Sequence, residues 1–499
     1  MTELTTAYWH AQASQLTPKS QTFIDGQFVD AASGRTFQSI SPIDGRVLAD
    51  VACCGEVDVD RAVAAARRAF EDGRWADCSP ADRKKVLQAF AALIRTNGHE
   101  LALLETLDMG KPIASSLAVD VRAVSNCFDW FGEAIDKIYD EIAPTPKEAV
   151  ALITREPLGV VAAVVPWNFP MLMAAWKVAP ALAAGNSVVL KPAEQSSLTA
   201  LRLAELAVEA GVPPGVFNVV TGMGPETGRA LGLHMDVDGI FFTGSTQVGK
   251  YFMEYSAQSN LKKLGLELGG KSPNIILESY RDTAHAARVS ANAAFFNQGE
   301  MCTCPSRLVV EKSIHEEVVE VLRETAANFA PGDPLDPATT MGAMVDERHT
   351  SRVMSFVDVA HKEGATIATG GKRARLDTGG CYIEPTIFDD VHNKMEVAQQ
   401  EIFGPMLCVI PVENVDEAIT VANDTCFGLA AAVWTDDLTT AHKVSRSVRA
   451  GLVYVNCYDA DDITVPFGGY KQSGIGRDKS LHALEKYSEL KTTWINVGP

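Results

Sequence analysis

From residue 57 to about residue 98 the apolar positions recur at helical spacing, and the same period returns over 100–109 and 118–139 until Pro144 and Pro146 interrupt it. The pattern then changes. Residues 158–165, 186–190, 216–220 and 239–242 are short, continuous runs rich in β-branched side chains, and the segments between them, 197–211 and 225–233, have helical spacing. Runs that are apolar at every position belong to strands covered on both faces, and their alternation with helices predicts βαβ units in a parallel sheet. A second alternating series follows from Leu264 to about Asn456, with strands at 273–277, 307–310 and 428–434 and a helix over 314–330. Residues 1–50 set short apolar runs between Gly and Asp turns, as in Phe23-Ile24-Asp25-Gly26-Gln27-Phe28-Val29, and predict a hairpin-bearing lead-in. Two α/β lobes joined without a flexible spacer place a site in the crevice between them.

Composition narrows the functions such a fold could serve. The length of 499 residues corresponds to about three domains, with ample chain for a large core. Apolar residues at 46% and charged residues at 21% are those of a soluble globular protein. A net charge of −19 argues against a nucleic-acid partner, which needs a basic face, and leaves room for an acidic pocket that takes a cationic substrate. The longest apolar run, near ten residues around 158–167, falls well short of the about 20 needed to span a bilayer, so no membrane partner is expected. The first thirty residues lack the apolar stretch of a signal peptide. Ten cysteines include the adjacent pair Cys53 and Cys54 and one C-x-C, Cys302 and Cys304, but no zinc-type spacing, and there is no H-E-x-x-H. The expectation is a reduced, cytoplasmic protein without a metal.

One cysteine stands apart from the rest. Cys302 closes the segment Phe295-Phe296-Asn297-Gln298-Gly299-Glu300-Met301-Cys302, just after a Gly-Glu turn. A thiolate is the strongest nucleophile among side chains at neutral pH, although an isolated cysteine is more often small core filler. Upstream, Phe241-Phe242-Thr243-Gly244-Ser245-Thr246-Gln247-Val248-Gly249 reads as strand, small-residue turn and helix. Free backbone N–H groups and the positive helix end there suit a pyrophosphate, although the pattern is not the G-x-G-x-x-G fingerprint.

Taken together, the segments resemble the NAD(P)-dependent aldehyde dehydrogenase family across essentially the whole chain. The matching stretches are Pro166-Trp-Asn-Phe-Pro170, Leu190-Lys-Pro-Ala-Glu194, Phe242-Thr-Gly-Ser-Thr246, Leu266-Glu-Leu-Gly-Gly-Lys-Ser272, Asn297-Gln-Gly-Glu-Met-Cys302, Glu401-Ile-Phe-Gly-Pro405 and Pro466-Phe-Gly-Gly-Tyr-Lys-Gln-Ser-Gly474. The resemblance implies two Rossmann-type α/β domains plus a small oligomerisation arm. The NAD-binding domain would take 1–139 and 158–263, the thiol-bearing catalytic domain 264–474, and the arms 140–157 and 475–499, in a homodimer or homotetramer.

The resemblance also implies a division of labour. Cys302 attacks the aldehyde, the Asn168 amide and the Cys302 N–H hold the oxyanion, hydride transfer to the nicotinamide leaves a thioester, and Glu267 activates the water that hydrolyses it. Glu300 is the rival carboxylate. Pro166, Trp167, Lys191, Glu194, Gly224, Phe242, Gly244, Ser245, Thr246, Gly249, Leu268, Glu401 and Phe403 match cofactor positions. A carboxylate at Glu194 beside the ribose favours NAD, with NADP as the alternative. The chain departs from the family after the nucleophile, where Thr303, Cys304 and Pro305 precede Ser306 and Arg307.

Within the family the resemblance is to γ-glutamyl-γ-aminobutyraldehyde and other ω-amino- or guanidino-aldehyde dehydrogenases, carried by Leu104-Glu-Thr-Leu-Asp108 with Lys111, Glu133-Ala-Ile-Asp-Lys-Ile-Tyr139, and Gly476-Arg-Asp-Lys-Ser-Leu-His-Ala-Leu484. Phe169, Met171, Met173, Trp176 and Phe467 would line the aldehyde tunnel, and Asp461, Asp462 and Asp120 would meet a cationic far end. General aliphatic, aromatic or betaine-type aldehyde oxidation is the alternative. A CoA-acylating enzyme and an inactive structural homologue are further rivals, both disfavoured by the retained Glu267.

Overall fold

The computed structural model describes residues 4–498. Four of the apolar runs, with Lys263–Glu267 added, are the parallel centre of an eight-stranded sheet ordered Gln27–Val29, Thr22–Ile24, Phe217–Val219, Ser187–Lys191, Val160–Val164, Gly239–Thr243, Lys263–Glu267 and Gly474–Ile475. The hairpin and the Gly474–Ile475 edge join antiparallel. Val160–Val164 is buried at every position because each face meets a separate core. Val160, Ala162 and Val164 pack with Val59, Ala62 and Phe252, whereas Val161 and Ala163 pack with Phe90, Ala174 and Leu201. Val160–Val164 is the earliest of the five parallel strands, yet later strands flank it on both sides, Ser187–Lys191 on one and Gly239–Thr243 on the other. Such a reversal of strand order opens a crevice beyond the carboxyl ends.

A seven-stranded sheet follows, ordered Thr366–Thr369, Thr386–Asp389, Met406–Val412, Arg307–Glu311, Pro273–Ile276, Ala430–Trp434 and Leu452–Val455. It is parallel except for the Thr366–Thr369 edge. Ser488–Asn496 pairs along its whole length with Ala149–Pro157, which also pairs with Glu141–Ala143. This three-stranded ribbon exposes Leu490, Trp494 and Ile495. No described helix is long and apolar enough to cross a membrane.

The structure adds to the sequence pattern in several places. The helix Thr6–Gln15 buries only Trp9, so it has no apolar stripe to read. The 57–98 stretch is two helices, Glu56–Glu71 and Pro80–Thr96, the second started by Ser79 as N-cap and Pro80 in the first turn. The 118–139 stretch begins in a π-helical turn, Ser116–Val121, before Arg122–Ala134 continues as an α-helix. Residues 225–233 open likewise in a π-helical turn, Gly224–Gly228, and the helix expected over 314–330 is α-helical only for His315–Ala326.

Candidate active site

A cavity of about 760 Å³ lies beyond the carboxyl ends of Val160–Val164 and Gly239–Thr243, where the second lobe closes over the first sheet. Cys302 stands half-buried on its wall, with Asn168 beside it. The loop before the thiol turns through Asn297, Gln298 and Gly299, three successive residues at positive φ. Its course is fixed by the Gln298 side chain accepting from Gly342 N–H at 3.0 Å, and by Gly270, where a Cβ would collide with the carbonyl of Cys302. Asn168 Nδ2 donates to the Glu300 carbonyl at 2.8 Å, which leaves its second amide hydrogen free, and the Cys302 N–H has no backbone partner among the described residues. Burial, with the Glu401, Glu267 and Asp459 carboxylates adding to it, raises the Cys302 thiol well above its ordinary value, and the Thr303 backbone draws it partly back. The resting group is a thiol.

Glu267 ends the Lys263–Glu267 strand, and its carboxyl is not on the cavity wall. It is buried without a hydrogen-bond partner against Gly468, where a Cβ would approach within 2.7 Å of Oε1. Burial first, then the charge of Asp478, holds Glu267 well above the usual carboxylate range, while Lys177, Lys486 and Arg477 oppose them. Both lysines ion-pair with Asp478. Sequence reasoning missed this group, because its members come from three distant segments. Glu300 turns the other way: its carboxylate accepts from Val345 N–H at 3.1 Å and lies off the cavity. Cys304 is also buried, with its thiol donating to the Ala294 carbonyl at 3.6 Å and pushed by burial to about 12.

Of the expected cofactor residues, Pro166, Trp167, Gly244, Ser245, Leu268, Glu401 and Phe403 line the cavity. Lys191, Glu194, Gly224, Phe242, Thr246 and Gly249 lie outside it. Phe242 is buried against Phe252 at 5.0 Å, and a Cβ at Gly249 would come within 2.6 Å of Leu268, so these two shape the walls from behind. Ser245 caps the helix Thr246–Gln258 by accepting from Val248 N–H at 3.3 Å. Lys191 Nζ is buried 3.6 Å from Glu194, and the space around Gly224 is open, with no atom within 4 Å of a Cβ built there. Glu401 accepts from Gly270 N–H at 2.9 Å and is raised by burial to about 7. His349, unanticipated from sequence, packs its ring 5.0 Å from Trp167 and bonds the Phe403 carbonyl at 2.6 Å; burial lowers it to about 4, so it is neutral. A helix N-terminus on the cavity, a buried lysine beside the part-exposed Glu194 carboxylate and an aromatic wall fit a dinucleotide.

At the other end Phe169, Met173, Trp176, Phe467 and Asp461 are on the wall, joined by Leu172, Tyr454 and Asp459. Asp461 ion-pairs with the buried Lys479, whose ammonium also lies over the Trp176 and Phe467 rings at 5.4 and 5.7 Å. Asp459 accepts from Thr303 Oγ1 at 3.3 Å and is raised by burial and by Asp461 to about 6. Three expected positions are corrected. Asp120 is fully buried and ion-paired with Lys111 at 2.8 Å, off the cavity; Met171 is buried in the core; and Asp462 is exposed, with its carboxylate spent on Thr464. Asp120 is drawn inward because a buried ammonium beside it needs a counter-charge.

Fold and cavity together define a protein of two parallel α/β sheets with a thiol at their junction, flanked by a helix N-terminus on one side and a narrow aromatic wall on the other. The sequence profile of the aldehyde dehydrogenase family matches residues 28–493, and the chain belongs to that family. It is 50% identical over 98% of both chains to the NADP/NAD-dependent aldehyde dehydrogenase PuuC of Escherichia coli. The solved γ-glutamyl-γ-aminobutyraldehyde dehydrogenase of Burkholderia cenocepacia superposes with a TM-score of 0.97 at 58% identity, over 99% of this chain and 100% of that one. The indole-3-acetaldehyde dehydrogenase AldA of P. syringae, solved as a mutant in complex with NAD+ and IAA, superposes at 0.98 with 54% identity over 99% and 100%.

Proposed function

We propose that the chain oxidises an ω-amino, guanidino or γ-glutamyl-amino aldehyde to its carboxylic acid, with Cys302 as nucleophile, Asn168 as oxyanion donor and Glu267 as base. The observation that carries this reading is that Cys302 and Asn168 share one cavity with Asp459 and Asp461. Cys302, half-buried on the cavity wall, releases its thiol proton to solvent as Sγ adds to the carbonyl carbon, and the Asn168 amide hydrogen not bonded to Glu300 and the Cys302 N–H stabilise the oxygen as it gains charge. NAD, or NADP as the alternative, would be held by Trp167, Ser245, Lys191, Glu194, Glu401 and Phe403 and supplies the hydride acceptor when bound. The resulting acyl group stays on Cys302 as a thioester. Glu267 takes a proton from the attacking water, which requires its side chain to rotate from Gly468 toward the cavity. Lys177 and Lys486, both paired with Asp478, are the buried cations that favour the Glu267 carboxylate before it takes that proton. The likeness to the γ-glutamyl-γ-aminobutyraldehyde dehydrogenase supports the substrate class. The nucleotide domain would comprise 1–139 and 158–263, the thiol domain 264–474, and the remaining segments would pair subunits of a cytoplasmic homodimer or homotetramer.

A second reading, an aromatic aldehyde, is favoured by the Lys479–Asp461 pair, which offsets the rim charge beside the Phe169, Trp176 and Phe467 rings. Initial rates over amino-, guanidino-, aliphatic and aromatic aldehydes with each cofactor separate the two. An amino aldehyde should exceed propanal in kcat/KM by about tenfold or more, and Cys302→Ala should form no NADH. A preference for aromatic aldehydes would install the second reading, and absence of aldehyde-dependent NADH formation would overturn both.

A further inference from the structure

We propose that Lys111 and Asp120 are positioning residues for the aldehyde end of the cavity: a buried ion pair that holds the Phe169 ring in place from behind. The inference rests on the aldehyde reading above. Lys111 Nζ lies 2.8 and 2.9 Å from the two carboxylate oxygens of Asp120 and 3.9 Å from the centroid of the Phe169 ring. Both charged side chains are wholly buried, whereas Phe169 is half-buried and on the cavity wall. The ammonium therefore reaches the cavity only through the ring. An ammonium over an aromatic face is attracted by the ring's negative quadrupole, and the attraction grows when water is excluded.

The surroundings leave Lys111 little alternative. Glu105 is the nearest other carboxyl, 3.9 Å away, with neither oxygen hydrogen-bonded, and burial raises it to about 8, so it is chiefly neutral at pH 7. One cation then faces one anion and one ring. A buried ion pair is a poor source of stability compared with apolar packing, so its presence behind a cavity wall points to a geometric role. The chain geometry agrees. Lys111 follows Gly110, which ends the helix Gly98–Met109 at φ 84 and whose carbonyl accepts from Ala343 N–H at 3.0 Å. Asp120 lies in the π-helical turn Ser116–Val121, which sends Val119 to the cavity and Asp120, one residue on, to Lys111. π-Helical turns commonly occur at functional sites. Phe169 is joined by one peptide to Asn168 and N-caps the helix Pro170–Ala183, so movement of the ring is transmitted to the oxyanion donor.

The test weakens the ring's negative face without altering its shape. Trifluorophenylalanine at position 169 should raise the aldehyde KM about three- to tenfold, change kcat less, and leave the KM for NAD unchanged. In a Lys111→Met/Asp120→Asn background the same fluorination should add nothing, since the cation it senses is gone. A fluorinated enzyme with the parental aldehyde KM overturns the inference. So does a fluorination effect of equal size in the double variant, which would mean that the ring acts on the aldehyde alone. Should the double variant fail to fold, Lys111→Met alone supplies the background without the cation, and a fluorination effect there equal to the parent's overturns the inference. If the parent oxidises aldehydes and fluorination is silent, only the positioning role falls; if the parent oxidises none, both fall.

Discussion

Asp461 borders the cavity with Lys479 directly behind it, so its effect on a bound chain depends on what that lysine does when the carboxylate is removed. Asp461→Asn removes one of the two rim carboxylates and leaves the buried Lys479 ammonium without its ion-pair partner. The KM for aminobutyraldehyde should rise about tenfold, more at low salt, with propanal nearly unchanged. Equal effects on the two aldehydes would mean that the loop only shapes the tunnel. Asp459 adds a pH signature: its value near 6 means that it loses charge as the pH falls from 7 toward 5, and the affinity for the amino aldehyde should fall with it. At this scale Cys302, Asn168, Phe169 and Phe467 were legible in the chain because short motifs carry them, and they meet Trp176 at one cavity. Asp120 was misplaced and Lys479, Lys486 and His349 went unnoticed for one physical reason. A charged residue's partner is set by tertiary packing, and spacing along the chain contains no trace of it.

Among the elements, the buried parallel strands were the most legible, since two-sided burial leaves an unbroken apolar run. Boundaries drifted where the helix changed type, as at Ser116–Val121 and Gly224–Gly228, because a π-helical turn inserts a residue without altering composition. The helix Thr6–Gln15 went unread because one buried side chain makes no period. The ribbon of Ser488–Asn496 and Ala149–Pro157 raises a different matter. It presents Leu490, Trp494 and Ile495 to solvent on an extended edge, a liability unless another subunit covers it. Leu490→Glu with Trp494→Glu should therefore shift the sedimentation coefficient from that of a dimer or tetramer to that of a smaller species while far-ultraviolet circular dichroism stays the same. A monomeric parent, or an unchanged assembly, would remove the oligomerisation role from these segments.

For the whole molecule, the reversal of strand order at Val160–Val164 decides where chemistry can occur, and the second lobe brings Cys302 to that place. The two-lobed architecture could be read from alternating strands and helices. The closeness of the thiol, the amide and the strand ends could not, because it depends on how one sheet packs over the other. The same packing leaves Glu267 buried behind the cavity wall, where burial raises its proton affinity and suits it to take a proton from water, which places it in the second half of the reaction and not in the first. Stopped-flow measurement of NADH formation by Glu267→Gln tests that assignment directly. A burst equal to the concentration of Cys302 is expected, followed by turnover about 10²-fold or more below the parent. Parental turnover with no burst would contradict it and place the base elsewhere.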